Sequence, residues 1–211
     1  MWIEFLTRMK PFRVFSIMDV GKQFPSMNLM NLVRWQKKGY ILKLRNGWYA
    51  FNDTASSENI EWLAANLIYA PSYISLHTAL SWYNLIPDMV PVTTSVTTRK
   101  TNKFSTCFGD FYYHRIKPEL FGFGYSLENM DANSTTGNPG RKIMVATPQK
   151  AILDFFYVHS FYDSKKEMED LRLNDSELAK IIDDDFYNFP EKFKSEALKR
   201  RIQLMTKTYG L

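Results

Sequence analysis

The segment KKGYILKLRNGWYAF, residues 37–51, limits the fold of the amino-terminal part of the chain more than any other feature. It consists of two β-prone runs on either side of Asn46-Gly47. Asn-Gly between such runs is the strongest short-range signal for a β-hairpin, because both central residues of that turn need positive φ. We therefore predict a hairpin that carries two cations, Lys43 and Arg45, close to its tip.

Short helices are predicted before the hairpin. Apolar residues recur at helical spacing in residues 2–9, and Ser16 is well placed to open a second helix. A third helix, over about residues 27–38, follows a proline and Ser26, whose hydroxyl can cap the first turn. The order helix, helix, turn, helix, hairpin predicts a winged helix-turn-helix domain over residues 1–52, in which the last helix enters the major groove of DNA.

The third predicted helix has one apolar face and one polar face. Leu29, Leu32 and Val33 fall on the face that we expect to be buried. The opposite face carries side chains of types that suit DNA, because Asn can pair with adenine, Arg with guanine and Lys with phosphate. With the hairpin, this face supplies the candidate DNA-binding residues Ser26, Asn28, Asn31, Arg34, Trp35, Lys37, Lys38, Lys43, Arg45 and Asn46. Trp35 has two open interpretations, stacking on a sugar or base and packing against a second domain.

Positive charge is concentrated at the amino-terminal end. Residues 1–50 contain nine Lys and Arg and two acidic residues, a net charge of +7, whereas the remaining 161 residues contain 18 Lys and Arg and 20 acidic residues, a net charge of −2. This asymmetry is typical of a protein whose amino-terminal region binds a polyanion and whose remaining part is near neutral. A charged helix face is ordinarily only a solvated face, but here the helix order, the hairpin turn and the charge asymmetry agree on DNA binding.

The remainder of the chain predicts a second, mixed domain. The polar segment NDTASSEN, residues 52–59, reads as a linker to a domain over residues 58–211. Residues 92–125 are rich in β-branched and aromatic side chains and predict a mostly antiparallel β-meander flanked by helices. Thr147, followed by a proline, is expected to cap the helix after it. The predicted fold class is therefore α+β.

A second basic cluster lies in TTRKTNKF, residues 97–104. Its default interpretation is a solvated hairpin turn. The alternative is contact with nucleic acid or with an acidic protein partner, and the residues that would make this contact are Arg99, Lys100, Lys103 and Arg115.

No catalytic, metal-binding or cofactor-binding pattern stands out. The histidines His77, His114 and His159 lack metal-ligand spacing, and the single cysteine has no partner for a disulfide or a thiolate cage. Lys150 and Asp154 have the spacing of an ordinary i,i+4 ion pair. We expect no metal ion, no cofactor and no enzymatic activity. An enzyme, for instance a nuclease-like one in the C-terminal domain, would need carboxylates and lysines clustered around a cleft.

The compartment follows from what the sequence lacks. No apolar run is long enough to span a bilayer, and the first 12 residues carry charges throughout, unlike a secretory signal peptide. One cysteine in the chain suits a reducing environment. We expect a cytoplasmic protein that makes no membrane contact.

Several segments together resemble the AbiEi-type antitoxins of type IV toxin–antitoxin and abortive-infection systems. YISLHTALSWYNLIPDMVPVTTSVTTRKTNKFSTCFGDFYYHRIKPELFGFGY, residues 73–125, is similar to the second-domain segment of that family. VATPQKAILDFFY resembles its Pro-Glu-Lys-Ala-Leu-x-Asp element, and LRLN the step that follows it. RWQKKGYILKLRNGWYAF resembles the winged-helix end. Gln149 stands where the family usually has Glu, and Asn84 stands where Gly is common.

This resemblance implies a bacterial transcriptional autorepressor. Its winged helix would bind inverted repeats in double-stranded DNA at its own promoter, and its C-terminal domain would serve antitoxicity and assist DNA binding. The functional partner would be a nucleotidyltransferase-like toxin, countered without a stable complex. A protein-interaction module whose winged helix has lost DNA contact remains the alternative. The sequence leaves the oligomeric state and the operator open.

Overall fold

The computed structural model describes residues 1–54, 59–88, 90–129 and 141–211, apart from the side chains of residues 184 and 185. It is a mixed α and β structure, as the sequence predicts. The amino-terminal elements are α1 (Trp2–Met9), β1 (Val14–Ser16), α2 (Ile17–Gln23), α3 (Met30–Lys37), β2 (Ile41–Arg45) and β3 (Trp48–Phe51). The three strands form an antiparallel sheet in the order β1-β3-β2.

The predicted hairpin is present as β2 and β3. Of the two turn residues only Gly47 has positive φ, 80°, and the strand register shifts between Lys43 and Arg45. The turn is therefore not the mirror-image type that Asn-Gly favours, because a bulge adjusts the register instead. The backbone N–H of Ile17 donates to the carbonyl of Gly47 over 2.9 Å, so the hairpin tip is tied to the start of α2.

Local capping decides where the first helices begin. Ser16 caps α2 as predicted, in a reciprocal pair of hydrogen bonds with Asp19. The predicted start of the third helix is wrong, since α3 begins only at Met30. The side chain of Asn28, and not that of Ser26, accepts from the backbone N–H of Met30, at 2.9 Å. Ser26 lies exposed in the preceding turn.

The predicted faces of α3 are also partly wrong. Leu32 is buried, but Trp35 is buried too, with 7% of its surface exposed. Its ring centroid lies 4.5 Å from that of Phe5 and 4.8 Å from that of Trp2, so α1 covers this side of α3. Trp35 therefore packs inside the amino-terminal part itself, which neither interpretation of it anticipated.

The second part of the chain contains a six-stranded sheet and the larger share of the helices. Its elements are α4 (Ile60–Ile68), β4 (Ser72–Ile74), α5 (Leu76–Trp82), β5 (Thr93–Thr97), β6 (Asn102–Thr106), β7 (Gly109–Arg115), β8 (Tyr125–Asn129), β9 (Lys142–Ala146), α6 (Pro148–Val158), α7 (Lys165–Asp170), α8 (Asp175–Ile181), α9 (Asp184–Phe193) and α10 (Glu196–Tyr209). Thr147 caps α6 as predicted, by accepting from the backbone N–H of Lys150. Residues 55–58 of the predicted linker lie outside the described residues.

The strands are not arranged as a simple meander. The sheet order is β6-β7-β5-β4-β9-β8, with β5 parallel to β7, β4 parallel to β9 and the other neighbours antiparallel. The hairpin of β6 and β7 folds back so that β7 pairs with β5 and β6 forms the edge. Burial explains why β6 and not β7 lies at the edge of the sheet. Phe111 and Tyr113 of β7 are buried, whereas β6 is largely exposed and suits an edge.

The sheet is covered on both faces. On one face Tyr73 and Val96 pack with α5, α6 and the C-terminal helices. On the other face Ile74 and Val145 pack with α4, and the same apolar cluster continues into Val14, Leu44 and Ala50 of the amino-terminal sheet. The two parts of the chain therefore share one apolar cluster, and each also has a cluster of its own. In the described part no helix is long and apolar enough to cross a membrane.

Candidate nucleic-acid interface

The outer face of α3 and strand β2 form the candidate interface. Most of the residues that the sequence nominated are solvent-exposed on these elements or in the turns beside them, namely Ser26, Asn28, Arg34, Lys37, Lys38, Lys43 and Asn46. Among the described residues, the cations of this set form no ion pair, so their charges are free to attract an anion. Asn31 is half-buried, and its amide nitrogen lies 3.0 Å from the sulfur of Met1.

The same face of α3 also exposes apolar side chains. Leu29, Met30 and Val33 have 45%, 55% and 40% of their surfaces exposed. The prediction that Leu29 and Val33 face the core is therefore wrong, because α1 packs on the Trp35 side of the helix. The exposed face is a mixture of cationic, amide and apolar groups.

The side chain of Arg45, a candidate DNA contact at the hairpin tip, makes contacts within the chain. Its guanidinium donates to the carbonyl of Ile68 over 3.0 Å and lies 4.0 Å from the ring centroid of Phe104. The side chain is half-buried against the second part of the chain. Its charge is thus used to join the hairpin to α4 and β6, by a hydrogen bond and a cation–π contact.

Arg141 makes the reciprocal connection from the second part of the chain. It donates to the carbonyl of Val14 over 3.0 Å and forms a 2.9 Å ion pair with Asp19. Burial acts to raise the pKa of Asp19, but hydrogen bonds from Ser16 and the Arg141 charge outweigh it and lower this pKa. Arg45 and Arg141 together fix how α3 is presented relative to the six-stranded sheet.

The second basic cluster lies at the end of the sheet that faces the hairpin. Strand pairing places Arg115 opposite Thr97, close to the turn that holds Arg99 and Lys100. Arg99 is partly engaged, with its guanidinium 4.4 Å from the ring centroid of Tyr69. Lys100, Lys103 and Arg115 are exposed. Because β6 also lies against β2, this cluster is a neighbour of the hairpin.

Sequence reasoning missed a buried charged cluster around Lys150. The i,i+4 ion pair between this lysine and Asp154 forms as expected, but both side chains are fully buried. The Lys150 ammonium donates to the Tyr73 hydroxyl over 2.6 Å, and that hydroxyl donates to Asp154 over 2.8 Å. Ser75 also donates to Asp154, at 2.9 Å. In the sequence, the apolar residues around Lys150 and Asp154 were the available signal that this pair is buried.

Aromatic rings enclose the same ammonium. The ring centroids of Phe123 and Phe193 lie 5.1 Å from it, and that of Tyr73 lies 5.3 Å away. Burial lowers the pKa of Lys150, and the Asp154 carboxylate opposes this effect. Burial, followed by the charge of Asp154, raises the pKa of Tyr73 well above its ordinary value, so its hydroxyl keeps its proton.

The three histidines also come together, which no spacing in the sequence could indicate because they belong to separate elements. His159 at the end of α6 lies between His77 of α5 and His114 of β7, with ring centroids 5.3 Å and 5.5 Å apart. Among the described residues, however, no group of three His, Cys, Asp or Glu side chains is arranged to hold a metal ion. Burial and the two neighbouring histidines lower the pKa of His159 to about 4, and burial also lowers the pKa of His77 and His114.

The His159 ring predicts a loss of stability in mild acid. Its pKa in the folded chain is about 4 and its ordinary value is 6.5, so between these pH values the unfolded chain takes up the proton first. The free energy of unfolding should therefore fall as pH drops from 6.5 toward 4. His159→Gln should make this fall shallower by about 1–2 kcal/mol, once solvent screening of the ring is allowed for. Urea unfolding of both proteins at several pH values measures the difference, and parallel profiles would contradict it.

Comparison of the chain with models of protein families and with curated proteins finds no match.

Proposed function

We propose that this protein is a sequence-specific DNA-binding transcriptional autorepressor that acts as the antitoxin of a type IV toxin–antitoxin system. In this proposal residues 1–52 are a winged helix-turn-helix, with α3 in the major groove and β2 and β3 as the wing. The order helix, strand, helix, helix, hairpin supports this interpretation. Promoter inverted repeats are the DNA partner, and the protein acts in the bacterial cytoplasm.

The observation that carries the proposal is a set of exposed cations on and beside α3 and β2 that form no ion pair with another described residue. Arg34 and Lys37 lie on α3, Lys38 follows it directly, and Lys43 lies on β2, all within the quarter of the chain that holds the excess positive charge. Asn28 is also exposed beside the start of α3. Such a face can combine phosphate contacts with base contacts. The neighbouring Lys100 and Lys103 would extend the phosphate contacts onto the second part of the chain.

The antitoxin role rests on the resemblance of the second part of the chain to AbiEi-type antitoxins. A nucleotidyltransferase-like reading frame beside the gene would support it. In this proposal the toxin is countered without a stable complex, and the protein is not an enzyme.

The proposal predicts different effects for two single substitutions. If Arg34 contacts a base, Arg34→Ala should weaken binding to the operator by about 1–3 kcal/mol and relax the preference for one base pair. If Lys43 contacts phosphate, Lys43→Ala should weaken binding to all sequences alike and lower the slope of log affinity against log salt by about one unit. Gel-shift titrations at several salt concentrations, on the promoter and on random DNA, measure both effects.

Lys207→Ala serves as the control, because Lys207 is also exposed but lies on α10. It should leave the affinity and the salt slope unchanged. Binding that is insensitive to salt, or equal losses for Lys43→Ala and Lys207→Ala, would count against DNA binding through α3 and β2.

A protein-interaction module is the second candidate, and two observations favour it. Leu29, Met30 and Val33 are exposed on the face that would enter the groove. The hairpin tip is also held at Arg45 and Gly47, so less of it is free to contact DNA than in an isolated wing. Absence of any affinity for either promoter or random DNA would favour this candidate over the first.

A further inference from the structure

A pocket of about 510 Å³ lies on the second part of the chain. Its walls come from α4, α5, the segment before β5 and the turn between β6 and β7. This volume lies within the range typical of small-ligand sites. The pocket includes none of the residues of the candidate nucleic-acid interface.

Aromatic rings form one part of the lining. Trp62 of α4 and Trp82 of α5 meet edge to face, with ring centroids 4.9 Å apart, and Phe108 also lines the pocket. Trp82 has 47% of its surface exposed although it is a large aromatic residue. Exposed indole faces attract cations, because the π-electrons give each face a negative potential. The packing of Trp62 against Trp82 also holds the second ring in place.

Carboxylates form another part of the lining. Glu61 precedes Trp62 on α4, and Asp110 lies on β7, so two separate elements bring negative charge to one pocket. Both side chains are half-buried, and neither forms an ion pair with another described residue. Two unpaired carboxylates beside aromatic rings repel phosphates and nucleic acid and favour a positively charged group.

We propose that this pocket binds an organic cation, an ammonium or guanidinium group with an apolar stem. The aromatic rings would cover the stem and one face of the cation, and Glu61 and Asp110 would accept its hydrogen bonds. The chain as a whole has a net charge of +5, so its overall field does not attract a cation and the local carboxylates must supply the attraction. The cation belongs either to a polyamine or to a Lys or Arg side chain of a polypeptide.

Indole resonances of tryptophan provide the test. The full chain, labelled with ¹⁵N, is titrated with spermidine and, separately, with an N-acetylated, C-amidated Gly-Arg-Gly peptide. The Trp82 indole N–H signal, assigned with Trp82→Phe, should shift with at least one probe. The probe that binds identifies the source of the cation. Glu61→Gln and Asp110→Asn should each weaken that binding about ten- to a hundredfold, as expected for losing a charge-assisted hydrogen bond.

Glu119→Gln is the matched control, since Glu119 is an exposed carboxylate that does not line the pocket. It should bind the probe as the unaltered chain does. Thermal melting establishes whether each variant is folded. If Glu61→Gln does not fold, the affinity of Asp110→Asn alone decides the test. No shift of Trp82 at millimolar concentrations of either probe would overturn the proposal. Unchanged affinity in the folded carboxylate variants would overturn it as well, and neither result depends on whether the protein binds DNA.

Discussion

Replacing Lys150 with methionine should lower the free energy of unfolding by about 3–5 kcal/mol, the typical cost of breaking a buried ion pair. Methionine fills a similar volume but leaves the Asp154 carboxylate buried with no opposite charge. The fully buried positions of both side chains leave little room for water to solvate the remaining charge. Asp154→Asn should be comparably destabilising, because it leaves the ammonium without its counter-ion. Guanidinium unfolding followed by circular dichroism measures the loss.

A double substitution separates charge from packing in this experiment. Lys150→Met combined with Asp154→Leu removes both charges, so it should be less destabilising than either single change. Lys165→Met is the matched control, since Lys165 forms an i,i+4 pair with Glu169 on an exposed helix surface. It should change stability by no more than about 0.5 kcal/mol. A Lys150→Met protein as stable as the unaltered chain would show that the buried pair contributes nothing.

Gly124→Ala should destabilise the fold by about 2–4 kcal/mol, from backbone strain and overpacking together. Gly124 has a φ of 70°, which side chains other than glycine's rarely adopt. A Cβ atom there would lie 2.9 Å from Cβ of Lys150 and 3.0 Å from its Cγ and Cδ. These stem atoms belong to a lysine held at its ammonium end, so they cannot easily move away. Thermal or denaturant unfolding of the variant measures the cost.

Gly122→Ala is the control for this substitution. Its Cβ would meet nothing within 4 Å, and its φ lies outside the positive region. Alanine there should be neutral or stabilising by up to about 1 kcal/mol, because it restricts the unfolded chain. If the two alanine variants were equally stable, neither the positive φ of Gly124 nor its close packing against Lys150 would require glycine at that position.

Features set by neighbouring residues were predictable from the sequence. Asn46-Gly47 gave the hairpin, and Ser16 and Thr147 marked the starts of α2 and α6, because turns and caps depend on a few adjacent residues. The mixed α and β class followed from the alternation of helical and β-prone segments. The exposed positions of Arg34 and Lys43 were also expected from their types.

Features set by distant residues were not predictable. Trp35 is buried because α1 places Trp2 and Phe5 against it, and no periodicity within α3 contains that information. Arg45 meets Phe104, which lies in another strand far along the chain. The order of strands in the six-stranded sheet likewise depends on long-range pairing, such as that of β7 with β5. Composition alone does not specify which strands pair.

The apolar cluster that runs from Val14 and Ala50 into α4 makes the amino-terminal part of the chain difficult to exchange for another module. In many regulators a recognition module is joined by a free tether and can be replaced by another with a new target. Here a replacement would have to reproduce the surface that meets α4 and the sites where Arg45 and Arg141 attach. Under the proposed function, new target specificity would therefore arise more readily by substitution on the outer face of α3 than by shuffling of modules.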